Sequence, residues 1–277
     1  MQGRIRYKLI VFLFVLVFSG FISKPNVGAI SEHIYITVKV NDNCIKMDEE
    51  PYIKDGRTFV SIRFVAEALN AKVGWVDEKK MVTIDDGYNY IEIFINNKEY
   101  SVNAVKQVID VAPEICKGRT MVPLKLISES LGCSIEWDGE TYTVAVEKSG
   151  IKVPDTSIRN RGYTDEDLIW LSRIVTVEAR GASIEGKLAV ANVVLNRVKS
   201  PVFPNTVYDV IFQRGQFPPA HKNGFKELQP PRDCVIVSKM ALEGVNNIGK
   251  CLYFNNAEFP SRSGSFYKKI GGEYFYN

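Results

Sequence analysis

Two stretches of this chain repeat one another, and that repeat limits the fold before composition is considered. The segment DGRTFVSIRFVAEALNAKVGWVDEKKMVTI from Asp55 aligns, at an offset of 62, with KGRTMVPLKLISESLGCSIEWDGETYTVAV from Lys117. Gly56, Arg57, Thr58, Val60, Glu67, Leu69, Trp75 and Val82 recur as Gly118, Arg119, Thr120, Val122, Glu129, Leu131, Trp137 and Val144. A period of this length marks a duplicated supersecondary unit. Each copy reads as a glycine turn, an extended TFV or TMV, a short helix with apolar residues at helical spacing, a β-branched segment carrying Trp, and a last short strand. Two such units predict one α+β domain over residues 33–148.

The 277 residues leave room for a second domain of ordinary size. The segment EKSGIKVPDTSIRNRGYT is polar and carries Gly and Pro, so residues 149–162 read as a linker. At the other end, Arg4, Arg6 and Lys8 precede the apolar run LIVFLFVLVFSGFI, residues 9–22, and small residues lead to Ala29. This is the pattern of an export signal over residues 1–29. An uncleaved membrane anchor is the alternative, and both place the remainder outside the cytoplasm. Residues 31–150 hold 14 Lys/Arg against 20 Asp/Glu, a net of −6, and residues 151–277 hold 17 against 12, a net of +5. A basic C-terminal part suits a polyanionic target such as cell wall. Nucleic acid is the other such target, and export sets it aside.

The cysteines are Cys44, Cys116, Cys133, Cys234 and Cys251, with no CxxC pair, and the only histidines are His33 and His221. A structural zinc site needs four N/S ligands at regular spacing, which this set does not supply. No metal or cofactor is expected. Export permits disulfides, so Cys116–Cys133 and Cys234–Cys251 are candidate bridges. Buried free thiols are the alternative.

The C-terminal part opens with a helix in YTDEDLIWLSRIVTVEARG. Thr164 is its candidate N-cap with Asp167 at the third helical position, a form of the capping box. Asp165, Glu166 and Asp167 suit the positive end of the helix dipole, and Gly181 suits the stop. Leu171, Ile174, Val175 and Glu178 fall on i, i+3, i+4, i+7 spacing and share one face. A carboxylate on an apolar face is desolvated, its pKa rises, and it can hold a proton for donation. The bland reading is an edge residue paired with Arg173 or Arg180. A second helix follows, capped by Ser183, with Ile184, Leu188, Ala191, Leu195 and Val198 on its inner face and Asn192 and Asn196 on another. A third is capped by Thr206 with Asp209 at N3. The loop FQRGQFPPAHKNG, a fourth helix and an aromatic, Asn-rich tail complete the chain. Ring faces and amides outside a core are what sugar binding uses; closing a small core accounts for some of them.

Two resemblances add to this. The repeat resembles the copper amine oxidase N-terminal-like domain of exported Gram-positive proteins, over nearly all of residues 35–147. With no cluster of imidazoles, copper lacks its usual ligands here, and the resemblance implies a targeting or wall-binding module, or a folded spacer. The C-terminal motifs VEARGASIEGKLAVANVVLNRV, SPVFPNTVYDVIFQRGQF, CLYFNN and KIGGEYFYN resemble the SleB/CwlJ family of spore cortex-lytic and cell-wall hydrolases over residues 163–277. That implies a mostly helical, lysozyme-like fold acting on peptidoglycan glycan strands, with Glu178 as the catalytic acid. By family position Gln216, Phe217, Tyr253 and Asn255 are candidates for the substrate cleft. The chain departs from the pattern in two places. Glu273 stands where the pattern usually has His, and QF continues PPA without Ser.

One strong acid candidate fits lytic transglycosylation. Glu178 would protonate the leaving oxygen and then accept the proton of the muramic acid 6-hydroxyl as a 1,6-anhydro ring closes. A hydrolytic muramidase and a non-catalytic wall-binding protein are the alternatives. The expected partners are peptidoglycan glycan strands, with a regulatory protein as an open alternative and the membrane met only through an uncleaved signal segment. The expected location is the cell wall or spore envelope.

Overall fold

The computed structural model describes residues 36–277. The expected leader, residues 1–29, and His33 lie outside the described residues. Strands β1 (Thr37–Val40) and β2 (Asn43–Cys44) open the chain. There follow β3 (Tyr52–Lys54), β4 (Arg57–Ser61), α1 (Ile62–Ala68), β5 (Lys72–Val76) and β6 (Met81–Asp85). A meander of β7 (Tyr90–Phe94), β8 (Glu99–Val102) and β9 (Val105–Val108) comes next. Then β10 (Glu114–Cys116), β11 (Arg119–Pro123), α2 (Leu124–Ser130), β12 (Ser134–Asp138) and β13 (Thr143–Glu147) close the first half. Each of these last five elements starts 62 residues after its counterpart among β3, β4, α1, β5 and β6.

The turn chemistry explains the hairpins. Asp55–Gly56 and Lys117–Gly118 both take two successive positive φ angles, the requirement of a two-residue type I′ turn, which matches the twist of the flanking strands. The hairpins β3–β4 and β10–β11 then join edge to edge into a sheet ordered β10-β11-β4-β3. Val60 pairs with Val122 at the middle of that junction, so a local two-fold axis passes between them. The outer sheets differ. β5 and β6 extend into the β7–β9 meander, whereas β12 and β13 take up β1, parallel to β13, and then β2. One core binds all of this, including Val60, Val122, Val65, Ile127, Leu69 and Leu131.

Residues 149–162 do not hang free. Ile158 bridges to Ile45, Arg159 N–H donates to Cys44 O at 2.8 Å, and Val153 is buried in the N-terminal core beside Ile151 and Ile158. The polar composition hid three aliphatic residues that anchor the strap. The cysteines are all free, so neither candidate bridge forms. Cys234 and Cys251 belong to separate cores.

The C-terminal half packs α3 (Asp165–Glu178), α4 (Ile184–Val198), α5 (Val207–Phe212) and α6 (Arg232–Leu242), followed by strands β14 (Tyr253–Asn255), β15 (Phe266–Ile270) and β16 (Glu273–Tyr276) in the order β14-β16-β15. The caps fall where the sequence places them. Thr164 and Asp167 complete a capping box, Ser183 accepts from Gly186 N–H, and Thr206 accepts from Asp209 N–H. Among the described residues no helix is long and apolar enough to cross a membrane.

Helix α6 joins the halves. Cys234, Val237 and Ala241 bury one side of it in the helical core. Arg232, Lys239 and Glu243 recur at i, i+7, i+11 and share the other side. The Arg232 guanidinium lies over the Tyr142 ring at 5.5 Å. Lys239 Nζ donates to Thr37 Oγ1 at 2.9 Å and Tyr142 O at 3.0 Å. Glu243 accepts from Arg159 and from Tyr163 Oη. Burial holds the Lys239 ammonium down to about 7, with Arg161 adding to the effect. A base with a lowered folded-state pKa destabilises the fold fully below that pKa, and the penalty fades as pH rises toward its free value. The full chain should therefore gain stability between about pH 7 and pH 10. Lys239→Met should lose that slope, measured by denaturant unfolding across this pH range against the parent.

Candidate functional site

Glu178 is the last helical residue of α3. Its stripe partners Leu171, Ile174 and Val175 are buried in the helical core, so the carboxylate continues an inward face. Its Oε1 is buried and has no hydrogen-bond partner. Burial raises its pKa, the charge of Glu273 raises it further, and Arg197 opposes both. The bland pairing does not form. Arg173 Nε donates to Leu228 O at 2.9 Å and its guanidinium lies 4.8 Å from the Trp170 ring. Arg180 lines a neighbouring cavity whose walls do not include Glu178.

Arg197, from the end of α4, was not among the residues the sequence singled out. It is buried, its Nε donates to Leu252 O at 2.8 Å, and its guanidinium lies 4.9 Å from both the Phe203 and Phe217 rings and 5.7 Å from Tyr253. Burial lowers its pKa to about 10, while Tyr253 and Glu178 hold it up. It is thus charged at neutral pH, with Nη1 buried and lacking a partner. A buried cation and a half-buried carboxyl, each with one buried polar atom unused, are thereby coupled electrostatically. A signal for Arg197 was present: Val190, Val193, Val194 and Arg197 follow the same i, i+3, i+4, i+7 spacing that marked Glu178.

Glu273 opens β16 and pairs with Ile270 across the Gly271–Gly272 turn. Burial raises its pKa. The substitution noted in the terminal motif therefore places a second carboxyl within electrostatic reach of the first. Of the four cleft candidates, Tyr253 stands beside Arg197. Phe217 is only 1% exposed. Its ring backs Arg197 instead of lining an open wall, because an aromatic face is what offsets the desolvation of the guanidinium. Gln216 is half-buried next to it, its N–H bonded to Gln213 O. The Asn255 amide nitrogen donates to Ala257 O and closes the turn after β14.

The amides of α4 have a structural use. Asn192 Nδ2 donates to Leu188 O and Val245 O, and Asn196 Nδ2 to Gly249 O and Cys251 O. They pin the segment that leads into β14.

Residues 181–276 match the family described as Cell Wall Hydrolase. This part of the chain is a cell wall hydrolase domain. The match starts just after Glu178. Residues 39–146 match the Copper amine oxidase N-terminal domain, so the hydrolase domain follows a module of that family. That stretch contains no His, and among the described residues no three His, Cys, Asp or Glu side chains gather as a metal site. Its donors do not fit the copper of the family's name.

The hydrolase domain is similar to the spore cortex-lytic enzyme of Bacillus subtilis (strain 168), 36% identical over 97 residues, covering 35% of this chain and 32% of that protein. A Bacillus cereus spore cortex-lytic enzyme is 34% identical over 120 residues, covering 43% of this chain and 46% of that protein. The chain thus spans less than half the length of these curated relatives. Among solved structures, the catalytic domain of the germination-specific lytic transglycosylase SleB from Bacillus anthracis is 35% identical, with 43% of this chain and 100% of that one covered and a TM-score of 0.38.

The electrostatics give a direct test. Glu273→Gln removes the repulsion and should lower the Glu178 pKa; Arg197→Met removes the attraction and should raise it. A carbon-13 NMR titration of the Glu178 carboxyl in each variant reads both directions.

Proposed function

We propose that this chain is an exported enzyme that cleaves peptidoglycan glycan strands as a lytic transglycosylase, with Glu178 as general acid and base. The observation that carries this is the half-buried Glu178 carboxyl, whose Oε1 is buried without a hydrogen-bond partner and whose pKa burial raises, coupled to the buried cation Arg197. The printed activities of the relatives, spore cortex lysis and lytic transglycosylation, support the substrate class.

The chemistry follows from one group. Glu178 donates its proton to the glycosidic oxygen as the bond from that oxygen to the muramic acid anomeric carbon breaks. The resulting carboxylate then accepts the proton of the 6-hydroxyl, whose oxygen closes on the anomeric carbon. The acid is regenerated, and neither water nor a protein nucleophile is consumed. Arg197 stabilises the carboxylate between the two proton transfers, and the substrate N-acetyl group steadies the sugar cation. Tyr253 and Gln216 would stand at the cleft, with Asn255 shaping its edge. The leader, residues 1–29, delivers the enzyme to the wall or spore envelope. The 62-residue recurrence reflects an internal duplication, and the module it builds holds the enzyme on its substrate.

A second reading has one observation in its favour. Glu273 is coupled to Glu178, and paired carboxyls serve hydrolytic glycosidases. A muramidase would use Glu273 as base or nucleophile.

Full-length protein and its Glu178→Gln variant, incubated with purified spore cortex and vegetative sacculi, separate these readings by mass spectrometry of the soluble fragments. Anhydro-muramic ends should appear and fall at least about 100-fold in the variant, the scale of general acid catalysis. Reducing muramic ends, lost equally in Glu273→Gln, would establish the muramidase. Equal release by parent and Glu178→Gln would remove Glu178 from the chemistry.

A further inference from the structure

The N-terminal module carries two clefts that are counterparts under the local two-fold axis. One, of about 380 Å³, is walled by Trp75 and Arg63 of the first unit and by Ile115, Arg119 and Thr120 of the second. The other, of about 460 Å³, is walled by Trp137 and Lys125 of the second unit and by Ile53, Arg57 and Thr58 of the first. These sets correspond position by position at the offset of 62. Each cleft thus takes its tryptophan and one cation from one unit, and its aliphatic lip, second cation and hydroxyl from the other.

Neither tryptophan is needed for the core. Trp75 is 41% exposed and Trp137 44% exposed. Both are held in place: Trp75 Nε1 donates to Asp77 Oδ1 at 3.2 Å, and Trp137 meets Tyr142 edge-on at 5.7 Å. A single exposed tryptophan is ordinary on a protein surface. The same fixed ring in two equivalent clefts, each beside two cations and a threonine, is the chemistry of a binding platform. An indole face stacks on the apolar face of a pyranose, while hydroxyls and cations meet its rim.

Charge decides the class of sugar. Residues 31–150 are acidic overall, with 14 Lys/Arg against 20 Asp/Glu. The Trp137 cleft is lined by Arg57, Lys125 and Arg232; Arg57 is paired with Asp110 and Lys125 lies 3.6 Å from Glu129, so Arg232 is its cation without a carboxylate partner among the described residues. In the Trp75 cleft Arg119 is paired with Asp48 and the Asp77 carboxylate holds the indole, so Arg63 supplies the positive charge left over among the described residues. Local positive charge on an acidic domain selects an anionic ligand.

We propose that these are two equivalent subsites for the carboxylate-bearing, N-acetylated glycan strands of peptidoglycan. The inference rests on the wall reading above and adds to it where the module binds and with what stoichiometry. The subsites act together by raising the effective concentration of one site once the other is filled. The Trp137 subsite is shared with the hydrolase domain, because Arg232 at the start of α6 is part of its wall. A strand held there lies against the helix that also packs on α3.

The test uses full-length protein carrying Glu178→Gln, so that the ligand stays intact. Soluble disaccharide-peptide units, too short to span both clefts, are titrated by tryptophan fluorescence, and sacculi stripped of teichoic acid are used for sedimentation. Two equivalents should bind the parent, one each of Trp75→Ala and Trp137→Ala, and none the double variant. Sedimentation should weaken about 10-fold in each single variant and be lost in the double. The exposed changes Arg63→Glu and Lys125→Glu leave the core untouched and should each remove one equivalent. Unchanged binding in the double tryptophan variant overturns the inference, as does loss of all binding on one single change, or retention that disappears with teichoic acid. Glycan fragments released by the unmodified chain, with retention indifferent to both tryptophans, would overturn this inference alone. Tryptophan-dependent retention without any fragments would overturn the lytic reading alone.

Discussion

The site depends on how the hydrolase domain buries Arg197. A guanidinium taken out of water costs several kcal/mol unless hydrogen bonds and matched charge replace the solvent. The replacements come from separate parts of the chain: Leu252 O from the segment entering β14, Phe203 and Phe217 from the loops flanking α5, and the Tyr253 side chain of β14, with the Glu178 carboxyl of α3 adding to them when ionised. Asn192 and Asn196, on the same helix, act in parallel by drawing the carbonyls of Val245, Gly249 and Cys251 onto α4. The C-terminal sheet is therefore seated on α4 by hydrogen bonds as much as by the small core of Val193, Ile248 and Phe275. Seating it there brings Glu273 to Glu178.

Helix α6 gives the two halves a fixed relation. It is amphipathic in an unusual sense, with one face in an apolar core and the other in a charged junction. Lys239 is the costly part of that junction, and its bonds to Thr37 and Tyr142 keep the ammonium from being stranded. The strap over residues 149–162 adds Val153 to the N-terminal core and a bridge at Ile158. Binding by the module would in consequence be felt at a defined place relative to Glu178, whereas a free linker would scatter it.

Much of this was legible in the sequence. The turn, strand, helix and two further strands of each unit, their offset and the three N-caps follow from local rules: glycines at positive φ, side-chain oxygens opposite orphan N–H groups, and apolar spacing; the short strands β3 and β10 before the turns are not part of that reading. Glu178 was legible because a carboxylate interrupted an apolar stripe. Arg197 interrupts its own stripe on α4 in the same way, but Arg at a helix end also suits the dipole, so spacing alone does not mark it. What stayed hidden was non-local. The sequence does not say that β1 pairs in parallel with β13 across the whole module, that a polar strap anchors through three aliphatics, or that Phe217 turns inward beneath a cation. Cys234 and Cys251 illustrate the same limit. Their proximity in sequence suggested a bridge, and packing sends them to different cores.

Glu273 shows how one departure from a family pattern can be absorbed. Histidine at that place would carry no charge or a positive one near neutrality, and would not hold a proton on Glu178. A carboxylate does. The two carboxyls are coupled: burial raises both, and the Glu273 charge raises Glu178 further. Arg197 limits the effect, because its charge favours the ionised form of Glu178. The acid and base role proposed for Glu178 would use both influences: repulsion and burial to hold the proton, and a fixed cation to offset the charge once the proton has gone.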